Sequence, residues 1–175
     1  MDEDPRVATG IEPERLDPAQ FGALYERHRL SVFRYLRGRT TSDDDALDLT
    51  AVTFEKAFAN LGRFRRRDGG VQAWLFRIAR NAAIDSHRRH RPTTVLAAAD
   101  AQLGRAAVEA DRIDDQRTDV LDLVSRLPED LREVLLLRYA GGLTAREIGI
   151  VIGKREGAVQ KQIERGLAAL RESLR

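Results

Sequence analysis

The chain has 175 residues, 42% hydrophobic and 33% charged, with no cysteine and a net charge of +2. That excludes a disulfide scaffold, a thiolate metal site, a cysteine nucleophile and a globally disordered chain. No apolar run approaches the roughly 18 residues that span a bilayer. The acidic start MDEDPRVATG is unlike a secretory leader, so a cytoplasmic protein without membrane insertion is expected.

The small net charge hides an uneven distribution. Residues 63–91 hold nine Arg and two Asp, a balance of +7, and residues 143–175 hold seven bases and four acids, a balance of +3. Residues 1–20 carry −4 and residues 98–119 carry −3. Two basic blocks separated by an acidic stretch suit two sites on a polyanion. Solvated Arg-rich helix faces would give the same count, so charge alone leaves both readings open.

No stretch alternates with period two, and helical periodicity dominates. Residues 17–40 place Phe21, Leu24, Tyr25, His28, Val32, Phe33 and Leu36 on one stripe. The next helix is expected to start on Ser42 as N-cap, with Asp43 to Asp45 in its first turn. Its apolar stripe reads Leu47, Leu49, Val52, Phe54, Ala57, Phe58 and Leu61. Gly69-Gly70 break the pattern, and a third helix follows from about Val71 to His90, with Trp74, Leu75, Ile78, Ala82 and Ile84 buried and Pro92 at its end.

Residues 92–115 are rich in Ala and Asp and weakly periodic, and read as a linker. Periodicity returns near Thr118, breaks at Leu127-Pro128, and continues from Pro128 to Tyr139 until Gly141 stops it. Thr144 and Glu147 form a capping-box pair, so a helix should begin at Ala145, with Ile148, Ile150 or Val151, and Ile152 on its apolar side. Gly153 can take the left-handed conformation that redirects the chain, and another helix should start near Glu156. Val159, Ile163, Leu167 and Leu170 then face inward, and Gln160, Lys161, Glu164 and Arg165 face out. A short brace, a glycine turn and a second helix with polar donors outside make a helix-turn-helix, whose outer side chains reach base edges or phosphates in a major groove. The fold class expected is therefore all-α: two small helical domains joined by a flexible linker, the C-terminal one a helix-turn-helix.

In the earlier basic block, Arg77, Asn81, Asp85 and Arg88 share one helical stripe, flanked by Arg80 and His87. Bases beside aromatics suit single-stranded nucleic acid, though Trp74 reads mainly as a core residue. Asn81 and Asp85 disfavour a helix interior and could bond a base edge. His87, His90 and Asp85 lie close in sequence, but the surrounding arginines would repel a cation, so no metal is expected. No catalytic spacing or phosphate-cradling loop stands out, and neither enzyme activity nor a cofactor is expected.

At this point the sequence resembles a known family. RLPEDLREVLLLRYAGGLTAREIGIVIGKREGAVQKQIERGLAALRESL is similar to the promoter-binding C-terminal domain of bacterial extracytoplasmic-function (ECF) sigma factors. DDDALDLTAVTFEKAFANLGRFR followed by AWLFRIARNAAIDSHRRHRP resembles their N-terminal conserved domain. The resemblance implies an acidic tail at 1–14, sigma region 2 at 15–92, a linker at 93–116 and sigma region 4 at 117–175. It implies that region 2 binds core RNA polymerase and the promoter −10 element, and region 4 the −35 element. By position, Arg63, Arg65, Arg66, Arg67, Arg77, Asn81, Asp85, Arg88 and Arg89 would meet the −10 strand. Arg155, Gln160, Lys161, Glu164 and Arg165 would meet the −35 element. Asp45, Asp48, Thr53 and Phe54 match the helix that docks on the clamp helices of the polymerase largest subunit. Leu47, Ala51 and Val52 depart from the Glu, Gln and Glu common there, and Gly166 interrupts a helix at a cost of about 1 kcal/mol. Partners implied are core RNA polymerase, promoter DNA and an anti-sigma factor. The competing reading is a stand-alone helix-turn-helix regulator, which would bind duplex DNA unaided.

Overall fold

The computed structural model describes residues 15–66, 69–89 and 121–174. The tail at 1–14 and the linker at 93–116 lie outside them. All regular structure among the described residues is helical. Helix α1 (Phe21–Arg37) is entered through a 3-10 turn at Pro18–Gln20, where the Asp17 carboxylate accepts the Ala19 N–H at 2.9 Å. Helix α2 (Asp43–Ala59) starts as expected, with the Ser42 hydroxyl accepting the Asp45 N–H at 3.1 Å and three acids at the positive helix end. A 3-10 turn at Leu61–Arg63 leads to α3 (Gly70–Arg89). Residues 121–125 are helical, and that helix ends before Pro128.

Helix α4 spans Glu129–Leu135 and widens into a π-helical turn at Leu136–Ala140, where the Gly141 N–H reaches the Leu136 carbonyl at 2.9 Å. The single α-helix expected to Tyr139 is corrected accordingly. Helices α5 (Ala145–Ile152) and α6 (Glu156–Ser173) follow, with both expected starts in place.

Helices α1, α2 and α3 pack on one another, α6 packs on α4 and α5, and the two groups meet where α3 touches α5 and α1 touches the π turn. One cluster of buried side chains runs through both groups. The stripe expected on α2 was drawn too wide. Its buried face is Ala46, Leu49, Thr50, Thr53, Phe54 and Ala57, while Leu47 and Phe58 are about half exposed, at 50% and 54%. Thr50 and Thr53 tolerate burial because their hydroxyls donate to the Ala46 and Leu49 carbonyls, each at 2.7 Å. On α1, Tyr25 turns outward at 40% exposure, and Tyr35 is fully buried.

Between the two groups sits a polar clasp. The Tyr35 hydroxyl donates to Glu133 Oε1 at 2.7 Å, Arg39 Nη1 donates to Glu133 Oε2, and Arg80 Nε lies 3.6 Å from Glu133 Oε1. The side chain of Glu133 is only 7% exposed. Nearby, Gln72 Nε2 donates to the Gly141 carbonyl at 2.6 Å, and Tyr35 meets Phe76 edge-on at 5.4 Å. Leu136 sits so close to Gly38 that any Cβ there would overlap it. Burial, followed by the Glu133 charge, pushes the Tyr35 pKa well above its usual value, so the phenol stays a proton donor. Burial disfavours the Arg39 charge, but Tyr35, Glu133 and Glu129 outweigh it and raise the pKa.

His28 on α1 is mostly buried. Burial first, and the Arg27 charge second, lower its pKa from 6.5 to about 4. The unfolded chain then binds the proton more readily than the folded one. The His28 contribution is therefore complete above about pH 6.5 and is lost as pH falls toward 4. Urea unfolding at pH 7 and pH 5 is expected to show a drop in stability that His28→Gln reduces.

Candidate nucleic-acid interface

The helix-turn-helix is built as its capping pattern predicts. Thr144 Oγ1 accepts the Glu147 N–H at 3.3 Å, and Glu147 Oε2 accepts the Thr144 N–H at 2.7 Å. Gly153 closes α5 with φ of 72°, a left-handed conformation natural to glycine. Gly149 is required for another reason: a Cβ there would lie 2.5 Å from the Lys154 carbonyl oxygen, which cannot swing away. Gly149→Ala is expected to cost roughly 1–3 kcal/mol in urea unfolding, because the turn must open to admit the methyl group.

On α6, Val159, Gln162 and Gly166 are buried, while Gln160, Lys161, Glu164 and Arg165 are exposed. Arg155 is exposed at the N-cap and makes no side-chain capping bond. The cost of Gly166 has a local reason: a Cβ there would meet Leu135 Cδ1 at 2.9 Å, so glycine lets α6 approach α4 closely. Gln162 was missed as a structural residue. Its Oε1 accepts from Lys154 Nζ at 3.1 Å and its Nε2 donates to Asp130 Oδ2 at 3.0 Å, tying α6 to the turn and to α4. Its place three residues after Val159 and four before Gly166 was the available signal.

The second basic region gathers on α3 and the end of α2. Asn81, Asp85, Arg88 and Arg89 are exposed, and Arg77 is half-buried. Lys56, Asp85, Arg88 and Arg89 line one open cleft, with Lys56 Nζ 3.8 Å from Asp85 Oδ2. Lys56 was not anticipated, since it is on another helix and nothing local pairs it with Asp85. Arg63 and Arg66 are exposed. Arg65 bonds its own loop, donating through Nη1 to the Gly62 and Phe64 carbonyls at 2.8 and 2.7 Å. Arg67 lies outside the described residues. Trp74 and Phe76 are buried, and Phe64 stands edge-on to Trp74 at 5.4 Å, so these rings hold the loop rather than offering a stacking surface.

On α2, Asp45 and Asp48 are exposed. Thr53 and Phe54 are on the inner face of α2: Thr53 is fully buried, and Phe54 packs edge-on against Phe21 and Tyr25 at 6.3 and 4.8 Å. The outer face instead carries Leu47, Ala51, Glu55 and Phe58. Among the described residues no three His, Asp or Glu side chains gather as metal ligands, and no helix is long and apolar enough to cross a membrane.

Known proteins match this arrangement. The model for sigma-70 region 2 matches residues 24–93, and that for sigma-70 region 4 matches residues 117–170. The ECF RNA polymerase sigma factor BldN of Streptomyces coelicolor is 33% identical over 144 residues, covering 80% of this chain and 54% of BldN, so the chain spans about half the length of that relative. The ECF sigma factor SigD of Mycobacterium tuberculosis is 33% identical over 163 residues, covering 86% of this chain and 75% of SigD. SigW of Bacillus subtilis is 30% identical, covering 91% of each chain. CnrH, solved with the cytosolic domain of CnrY, has a TM-score of 0.68 at 24% identity, covering 90% of this chain and 89% of CnrH. RpoE of Bartonella quintana, solved with the anti-sigma factor NepR, has a TM-score of 0.68 at 23% identity, covering 89% of this chain and 96% of RpoE. These two share the fold. With both conserved regions present and in order, the chain belongs to the ECF sigma factors of the sigma-70 family.

Proposed function

We propose that this chain directs core RNA polymerase to specific promoters and assists opening of the −10 element. The observation that carries the reading is the outer face of α6: a row of Gln160, Lys161, Glu164 and Arg165 left exposed over a packed inner face. Amides and guanidiniums so placed can bond base edges in a major groove, and Lys161 and Arg155 can neutralise phosphates. Residues 117–175 would then act as the −35 unit and residues 15–92 as the −10 unit.

At the −10 element, the exposed Arg63, Arg66, Arg88 and Arg89 provide positive charge, and Asn81 and Asp85 provide base-edge partners. Extracting a base costs a few kcal/mol of stacking and pairing. Binding the open strand more tightly than the duplex offsets that cost and shifts the equilibrium without nucleotide hydrolysis. Because Trp74 and Phe76 are buried, capture rests on hydrogen bonds and charge. Polymerase docking falls to the outer face of α2, where Asp45 and Asp48 flank Leu47, Ala51 and Phe58. An anti-sigma protein covering that face would hold the chain inactive. Action on promoters places the protein in the cytoplasm.

The decisive assay is transcription by core polymerase stripped of its specificity factor. Defined start sites are expected only when this chain is added. If the chain alone binds a promoter duplex as tightly as with polymerase, the stand-alone regulator becomes the better description.

A further inference from the structure

The promoter reading leaves Arg39, Arg80 and Glu133 without a task. We propose that Arg39 and Arg80 form a nucleic-acid phosphate site that Glu133 masks in the closed arrangement, so that a polyanion competes with Glu133 and parts the two helical groups. This goes beyond the promoter reading and needs neither polymerase nor a promoter sequence.

The clasp is rich in donors and poor in acceptors. Two guanidiniums and a phenol converge on one buried carboxylate. Arg39 Nε and Arg80 Nε are buried without a hydrogen-bond partner. Glu129 adds a second acid 3.7 Å from Arg39, but its side chain is 80% exposed and screened by water. A guanidinium offers its donors as a planar fork, and a phosphodiester offers two oxygens with matching geometry. A backbone phosphate could therefore satisfy donors that Glu133 leaves idle.

Position supports the same ligand. Arg80 is on α3, the helix that also carries the exposed Asn81, Arg88 and Arg89. Arg39 lies just beyond α1 and shares Glu133 with Arg80. Glu133 comes from α4, in the other helical group. An anion that binds the arginines only after Glu133 has left stabilises the parted form by mass action. The competition weakens with salt, as phosphate contacts do.

The test uses the full chain and a 20-nucleotide oligo-dT as probe. The absence of cysteine allows a dye pair at Glu55→Cys and Ala168→Cys, exposed sites on α2 and α6. Energy transfer is expected to fall as the oligonucleotide is added at low salt. Fluorescence anisotropy supplies the sign. Glu133→Gln removes the mask and is expected to tighten binding about tenfold, whereas Arg39→Gln with Arg80→Gln is expected to weaken it about tenfold. A purely structural clasp would be loosened by both changes and would shift binding in the same direction. Tyr35→Phe removes one bond to Glu133, keeps the ring, and is expected to tighten binding to a smaller degree, which covers the case in which Glu133→Gln misfolds. Energy transfer unchanged at saturating oligonucleotide would overturn the proposal. So would equal tightening by the exposed control Glu172→Gln, which would reduce the effect to net charge. Either result leaves the transcription assay untouched.

Discussion

Phe64→Ala is expected to lower the thermal unfolding midpoint by on the order of 10–20 °C. Phe64 is fully buried and meets Trp74 edge-on at 5.4 Å. Removing such a ring costs roughly 3–5 kcal/mol, because the transfer energy of the ring is lost and a cavity remains. In a domain of this size each kcal/mol corresponds to several degrees. Phe64 also anchors the loop that carries Arg63, Arg65 and Arg66, and the Arg65 guanidinium bonds the Phe64 carbonyl at 2.7 Å. Opening of a −10 element should therefore weaken in Phe64→Ala even at temperatures where the protein stays folded. Circular dichroism melting and permanganate footprinting of the −10 region read the two effects. Leu30→Ala, at a side chain 50% exposed, is the control and should change stability by less than about 0.5 kcal/mol.

Arg165→Ala is expected to reduce transcription from a −35-dependent promoter by about 5- to 150-fold. That range corresponds to the roughly 1–3 kcal/mol of a side-chain contact to a base edge. Arg165 is exposed on α6 and takes no part in the helix-turn-helix core, so folding should be unaffected. Polymerase affinity, measured in a pull-down, should stay at the parental value because the proposed docking face is on α2. Parallel loss of both would show that α6 serves polymerase binding instead. Uniform weakening across all promoter sequences, with a shallower salt dependence, would reassign Arg165 to a phosphate.

Much of the C-terminal half was legible because its signals are local. Thr144 and Glu147 specify their helix start three residues apart, and Gly153 specifies the turn by itself. Ser42 did the same for α2. Legibility failed where a residue's role depends on a distant neighbour. Gly166 looked like a defect until Leu135 of α4 was found against it. Thr53 and Phe54 looked like contact residues by resemblance, yet an i−4 hydrogen bond lets the threonine sit among apolar side chains. Leu47 and Phe58 looked like core by hydropathy, but the helix period turns them about 100° from Ala46 and Ala57, onto the edge of the buried face, where each stays about half exposed. The family resemblance singled out Asp85 but not Lys56, which faces it from another helix. Tyr35 and Glu133 gave no pattern at all, since neither is distinctive without the other.

That last pair is separated by 98 residues along the chain. Their meeting is in effect a bimolecular association carried out within one molecule, with a local concentration set by the intervening polypeptide. Lengthening that polypeptide would dilute one group with respect to the other only slowly, by about 0.6 kcal/mol for each doubling. Cutting it would abolish the advantage at once, and the two fragments would then have to find each other at their bulk concentration. The clasp should therefore tolerate inserted residues far better than a single proteolytic nick.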